Sequence, residues 1–211
     1  MQAFVPGPVG GPTVIRLLAR VADRPFAAPG LAPAGRLGEW IDWPRAVTLS
    51  RALDAAPADP ASGEPADAAG LAEECAQARA ALAADIDKGP GPAATDAGFK
   101  PFQQHIQAMQ RAMQSATGRL RGDLRERLAG GSAQQARLAE VDAAMEAVLS
   151  PREASLLAAL PAMLGAHFER GQQPAAFQRE LRELLLAELD LRFQPVEGLL
   201  AALHSPGSRT R

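Results

Sequence analysis

Residues 132–204 read SAQQARLAEVDAAMEAVLSPREASLLAALPAMLGAHFERGQQPAAFQRELRELLLAELDLRFQPVEGLLAALH, and this stretch decides the fold. Ser132 and Gln135 have the spacing of a capping box, in which each side chain satisfies a free amide of the first turn. Leu138, Val141, Met145, Val148 and Leu149 then recur at steps of three and four, one apolar stripe on a helix. Ser150-Pro151-Arg152-Glu153 repeats the cap signal, with proline at a first helical position where no amide bond is lost, so a second helix is expected there. It carries Leu156, Leu157, Leu160, Met163, Leu164 and Phe168, and Pro161 within it predicts a kink or break. A third helix is expected over 175–193. Its Phe177, Leu181, Leu184, Leu185, Leu186, Leu189 and Leu191 cover more than half the circumference, so it should be the most buried. Pro195 and Gly198 predict a further break before a short closing helix with Val196, Leu199, Leu200 and Leu203.

Working outward, the preceding segment is the clearest amphipathic pattern in the chain. Phe102, Ile106, Met109, Met113, Ala116, Leu120, Leu124 and Leu128 step by fours and threes, close to a coiled-coil seam. A weaker stripe, Leu71, Ala78, Leu82 and Ile86, marks a helix before it. Upstream, Val14, Leu17, Leu18 and Val21 share one side of a short helix opened by Thr13. The organisation expected is an N-terminal arm with a Trp-containing helical segment (1–56), a flexible linker (57–66), and a helical hairpin (67–131) with a mobile joint at 89–98. A C-terminal helical core (132–204) and a disordered tail (205–211) follow. β-branched residues are sparse and no stretch alternates like a strand. The fold class is all-α: a multi-helix bundle with an amphipathic helical hairpin and Pro/Gly-rich linkers.

Aromatic residues are 4% of the chain and tyrosine is absent, so the core must be built mostly from Leu, Met and Ala. The single Cys75 cannot form an internal disulfide, which fits a reducing compartment. Arg16 and Arg20 interrupt the first apolar segment, against a signal peptide. The longest apolar run, 154–168, falls short of the ~20 residues that span a bilayer. A soluble, cytoplasmic protein without membrane insertion is the expectation. A net charge of −2 argues against a broadly basic nucleic-acid binder.

Four features are candidates for function. Trp40 and Trp43 precede Pro44, with Val47, Ser50 and Leu53 continuing their side. They read as anchors on the main body or as a contact for another protein. Opposite the seam of the 101–128 helix lie Gln107, Arg111, Gln114, Arg121 and Arg125, a second candidate contact face. The acidic 54–87 stretch beside the basic 100–127 helix suggests mutual neutralisation, or else a basic strip for an acidic partner or nucleic acid. Lastly, Asp142, His167, Glu188 and Arg192 fall on apolar helix faces. They suggest a buried polar network fixing helix register, or a pocket of acid–base or ligand groups. Glu188 and Arg192 are four apart with the acid first, the better order for a helical ion pair.

Enzyme signatures are missing. There is no Gly-x-Ser-x-Gly, no His-Glu-x-x-His and no paired cysteine, and His167-Phe168-Glu169 lacks the downstream cysteines of a deaminase zinc site. No catalytic residue, metal or cofactor is expected. The segment LLAELDLRFQPVEGL (185–199), with 14–18, 40–53 and the VDAAME of 141–146, resembles a proteobacterial family of unknown function, number 3348 in the domain-of-unknown-function series. The resemblance brings no activity and no functional residue. Members tend to be encoded near envelope proteins that are OmpA-like or flagellar-motor-channel-like, which implies a cytoplasmic accessory role by neighbourhood alone. The function expected is therefore a non-enzymatic adaptor or assembly factor, with an envelope-associated machine as one setting, working through a protein partner or a second copy of itself. A nucleic-acid-binding regulator using the 100–127 helix is the alternative, and an uncharacterised helical enzyme the third reading.

Overall fold

The computed structural model describes residues 13–21, 41–54, 68–91, 98–171 and 173–204. All secondary structure among them is helical: α1 (Thr13–Val21), α2 (Trp43–Asp54), α3 (Ala68–Lys88), α4 (Lys100–Ala129), α5 (Ala133–Ala158), α6 (Leu160–Glu169) and α7 (Pro174–His204). Trp40, the 57–66 linker, most of the 89–98 joint and the 205–211 tail lie outside the described residues.

The core is the seam between α4 and α7. On α4, Phe102, Ile106, Met113, Leu120, Leu124 and Leu128 are fully buried, while Met109 and Ala116 sit at its margin. α7 answers with Phe177, Leu181, Leu184, Leu185, Leu189 and Phe193, spaced so that several sides of the helix are covered. α3 closes a second side of α7 through Cys75, Leu82 and Ile86, and α1 packs on α7 and α6 through Val14 and Val21. Burying each leucine-sized side chain contributes roughly 1.5–3 kcal/mol, so α7 gathers more of this stabilisation than any other described helix. Where α4, α6 and the start of α7 meet, Phe99, Phe102, Phe168 and Phe177 cluster, with Phe177 edge-on to Phe102 and to Phe168 at 5.1 Å. Gly165 of α6 admits the Phe99 ring there, since a Cβ would stand 3.0 Å from it.

Two expected breaks are absent, and the break expected at Pro161 falls just before it, at Ala159. α5 runs through Ser150–Pro151 without ending. Ala144 and Val148 are buried on the preceding turns of α5, which packs on α2, and Glu153 reaches Arg192 instead of closing a cap. The break falls at Ala159, which puts Pro161 in the first turn of α6, where its missing amide costs nothing. Nor does α7 stop at Pro195: Val196 and Leu199 are buried and extend the stripe of Phe193, offsetting one lost hydrogen bond. Leu156 and Met163, expected in the core, are 74% and 38% exposed.

At the start of α5 the box at Ser132 is formed. The Gln135 amide donates to Ser132 Oγ at 3.3 Å, and the Ser132 amide to Gln135 Oε1 at 2.8 Å. Gln135 Nε2 also donates to the Ala202 carbonyl at 2.9 Å, which ties this end of α5 to the last turn of α7.

Unfolding in urea discriminates core from surface here. Phe177→Ala should lower stability by about 3–5 kcal/mol through the cavity it leaves, whereas Leu156→Ala should change it by about 0.5 kcal/mol or less. Equal losses would mean that 151–159 is packed rather than exposed.

Candidate functional site

The buried side chains of α5 are small or short, Ala139, Ala144 and Val148, and ion pairs join the helix to α4. Arg121 and Arg125 stand four apart on α4, Asp142 and Glu146 four apart on α5, so the two rows face each other. Arg121 Nη2 lies 2.7 Å from Asp142 Oδ1 and Nη1 lies 3.2 Å from Glu146 Oε1. Arg125 Nη1 lies 3.3 Å from Asp142 Oδ2 and 2.5 Å from Glu146 Oε2. All four side chains are largely withdrawn from water. Arg121 and Arg125 are therefore clamps between helices and not part of an open contact face. Among the described residues the neutralising acids come mainly from α5. α3 supplies only Glu74, which meets Arg119 at 2.5 Å, and its Asp87 and Arg79 pair instead with Arg182 and Asp190 of α7. Those exposed pairs are each worth about 0.2–1 kcal/mol.

Glu188 and Arg192 do meet. Glu188 is 2% exposed, and Arg192 Nε donates to its Oε1 at 2.9 Å while Nη1 reaches Glu153 of α5, also at 2.9 Å. Burial pushes the Glu188 carboxyl above its ordinary value, against the opposing pull of Arg192 and the nearby Gln110 amide, with Glu153 adding to the rise. Gln110 stands beside the carboxylate without completing a well-formed hydrogen bond, so Glu188 Oε2 and Gln110 Nε2 are both buried without a partner among the described residues.

The other two polar candidates lie elsewhere. Asp142 belongs to the α4–α5 clamp. His167 Nε2 is 2.9 Å from Glu180 Oε2, and its Nδ1 is 3.0 Å from Arg170 Nη2. A guanidinium can only donate, so Nδ1 accepts and Nε2–H is left to donate to Glu180. Arg170 also donates to the Val21 carbonyl at 2.7 Å, closing the end of α1. A shallow cleft of about 560 Å³ opens there beside Arg20 and Gln173. Asp142, His167 and the Glu188–Arg192 pair thus occupy three separate places. Angular position around a helix gives their faces, but not their heights or neighbours.

Between α4, the second half of α5 and α7 lies a groove in two adjoining sections that share Gln114, Ala154 and Arg192. One section, about 410 Å³, runs past Thr117, Arg121, Glu146 and Pro195. The other, about 350 Å³, has Gln107, Gln110 and Arg111 of α4 on one wall and Leu157 and Ala158 of α5 on the opposite one. From Gln107 to Arg121 the groove follows α4 for ~21 Å at 1.5 Å per residue. Gln107, Arg111 and Gln114 are exposed along it, and Leu156 lies on the neighbouring surface of α5. Trp43 is on α2, 80% exposed, and does not line the groove; it is no anchor on the body. Sequence reasoning misses Glu146 and Leu157. Glu146 is readable in principle, because its spacing from Asp142 mirrors that of Arg121 and Arg125; Leu157 is hidden in an apolar run that looks wholly internal.

Among the described residues no group of three or more His, Cys, Asp and Glu could hold a metal ion, and no helix is long and apolar enough to cross a membrane. The groove presents amides and guanidinium groups from α4 and α7, the carboxylates of Glu146 and Glu153, and an apolar strip on α5. The raised Glu188 value also makes a pH-dependent statement. The fold favours the neutral carboxyl, so that contribution is complete below the ordinary value of 4.5 and is lost as pH rises through the higher folded value. Glu188→Gln should therefore gain stability relative to the wild type as pH is raised from about 4 to about 7, read from urea midpoints at both ends. A constant difference would mean that the Arg192 pair offsets the burial, and one of opposite sign that it outweighs it.

No curated protein and no solved structure matches the chain. A family model does, over residues 1–176 and 171–205, and its description is "Protein of unknown function (DUF3348)". With nearly its whole length covered, the chain belongs to this family.

Proposed function

We propose that the protein works by contact rather than catalysis, as a helical adaptor or assembly factor that docks a partner protein in the α4–α5–α7 groove. The carrying observation is the composition of the groove. Exposed Gln107, Arg111 and Gln114 face Ala154, Leu157 and Ala158 across a trough bounded by helices. Polar groups beside an exposed apolar wall suit a protein surface better than a small polar substrate. The nucleic-acid reading loses support from the ion pairs: Arg119, Arg121 and Arg125 are each committed to carboxylates, which leaves Lys100, Arg111 and Arg127, spread along α4, for phosphates.

Site-specific photo-crosslinking in cells that make the protein tests this reading. A photoreactive residue in place of Gln107 or Leu157 should give an adduct of discrete mass, and one in place of the exposed Gln77 of α3 should not. Adducts at Gln77 alone, or none at either groove position, would contradict it.

A further inference from the structure

Resting on the reading of the groove as a docking surface, we propose that its occupant is an acidic amphipathic helix of a partner protein, seated between α4 and the second half of α5. No carboxylate lines the section that runs from Gln107 to Ala158. Arg111 projects there with donors only, and it makes no ion pair with any described residue. Gln107 and Gln114 lend amide groups on the same wall. A carboxylate is the group that answers a guanidinium with both charge and paired acceptors. Arg192 is already divided between Glu188 and Glu153, which leaves Arg111 as the free cation among the described residues of this section.

The facing wall asks for something different. Ala154, Leu157 and Ala158 stand at steps of three and four on α5, so they form one apolar strip, and the outer surface of this half of the helix is open to water at 151–156. An occupant must therefore carry acids on one side and apolar groups on the adjacent side. One helix does this with acids and apolar residues each repeating every three to four positions. The carboxylate-free section follows α4 from Gln107 to Gln114, ~11 Å or about two turns, and receives the acidic end of the occupant. The adjoining section carries Glu146 and Glu153 and faces the rest of a helix of about four turns. A basic helix would set its cations against Arg111. Nucleic acid would satisfy Arg111 but leave the apolar wall wet, and no aromatic side chain lines the groove for base stacking.

Selection of a displayed library of random peptides, each about 16 residues long or four turns, on the full chain tests the proposal. Enriched peptides should carry Asp or Glu at helical spacing beside Leu, Ile or Met. They should lose about tenfold or more in affinity for Arg111→Glu, and a Glu-to-Lys version of the peptide should recover binding to that variant. Arg111 is exposed, so the substitution leaves the fold intact; Gln107→Glu serves as a second variant that should weaken binding in the same direction. Peptides without acids, or indifferent to Arg111→Glu yet excluded by Ala154→Arg, would overturn the acidic partner and leave the groove reading standing. Peptides indifferent to all three substitutions would overturn both. Tight binding of a labelled RNA or DNA, or self-association abolished by Arg111→Glu, would replace the partner helix with nucleic acid or with a second copy of the chain.

Discussion

The constraint on which the structure depends is that α7 is apolar over too much of its circumference to lie on a surface. Leu181, Leu184, Leu185 and Leu189 cannot all face one neighbour, so α4, α3 and α1 must each take a side. That demand explains why α7 continues past Pro195, where local propensity would end it. Ending there would leave Val196 and Leu199 in water, and burying both outweighs a single missing hydrogen bond. It also explains how a carboxylate comes to be buried. Glu188 sits among these leucines and is tolerated because Arg192, one turn on, accompanies it.

A different force holds α5. Ala139, Ala144 and Val148 bury little area, and the helix touches α7 sparsely compared with α4. Its position is fixed by the Arg121/Arg125–Asp142/Glu146 clamp and by Gln135, whose side chain closes the cap and reaches α7 as well. Charged contacts depend on geometry more sharply than apolar ones, so a clamp of this kind sets the register of α5 without filling the space beside it. The groove is the consequence. Beyond the clamp, α5 stands away from α7, bridged by Glu153–Arg192, and its apolar Leu157 faces the amides of α4 across the gap. α2 is attached outside this arrangement, against Ala144 and Val148 and apart from the main core.

How much is legible in the sequence follows from the same forces. Phe102 to Leu128 can be read as a seam because its period is regular and its opposite face polar. The buried status of α7 follows from the width of its apolar arc. Ser132 and Gln135 are readable as a cap because the box is a local interaction. The breaks expected at Pro151 and Pro195 do not occur, for the complementary reason: whether a proline ends a helix depends on what its neighbours bury, and that is tertiary. The candidate site is legible only in part. Gln107, Arg111 and Gln114 show as a polar face, but their groove exists because α5 lies opposite, and nothing local announces it. Arg121 and Arg125 look identical to Arg111 in sequence, and only the acids four apart on α5 separate clamp from open surface. Grouping Asp142 and His167 with Glu188 fails because helical angles carry no information about which helices meet.

Native-state hydrogen exchange of the backbone tests most directly whether the fold is organised around α7. Amides of α4 and α7 facing Leu120, Leu185 and Phe193 should exchange only through global unfolding, including those after Pro195. Those of α2, which buries Ala52 alone, should exchange far faster through local opening. Protection in α2 equal to that of α7, or early exchange throughout 196–204, would contradict a structure built around the α4–α7 seam.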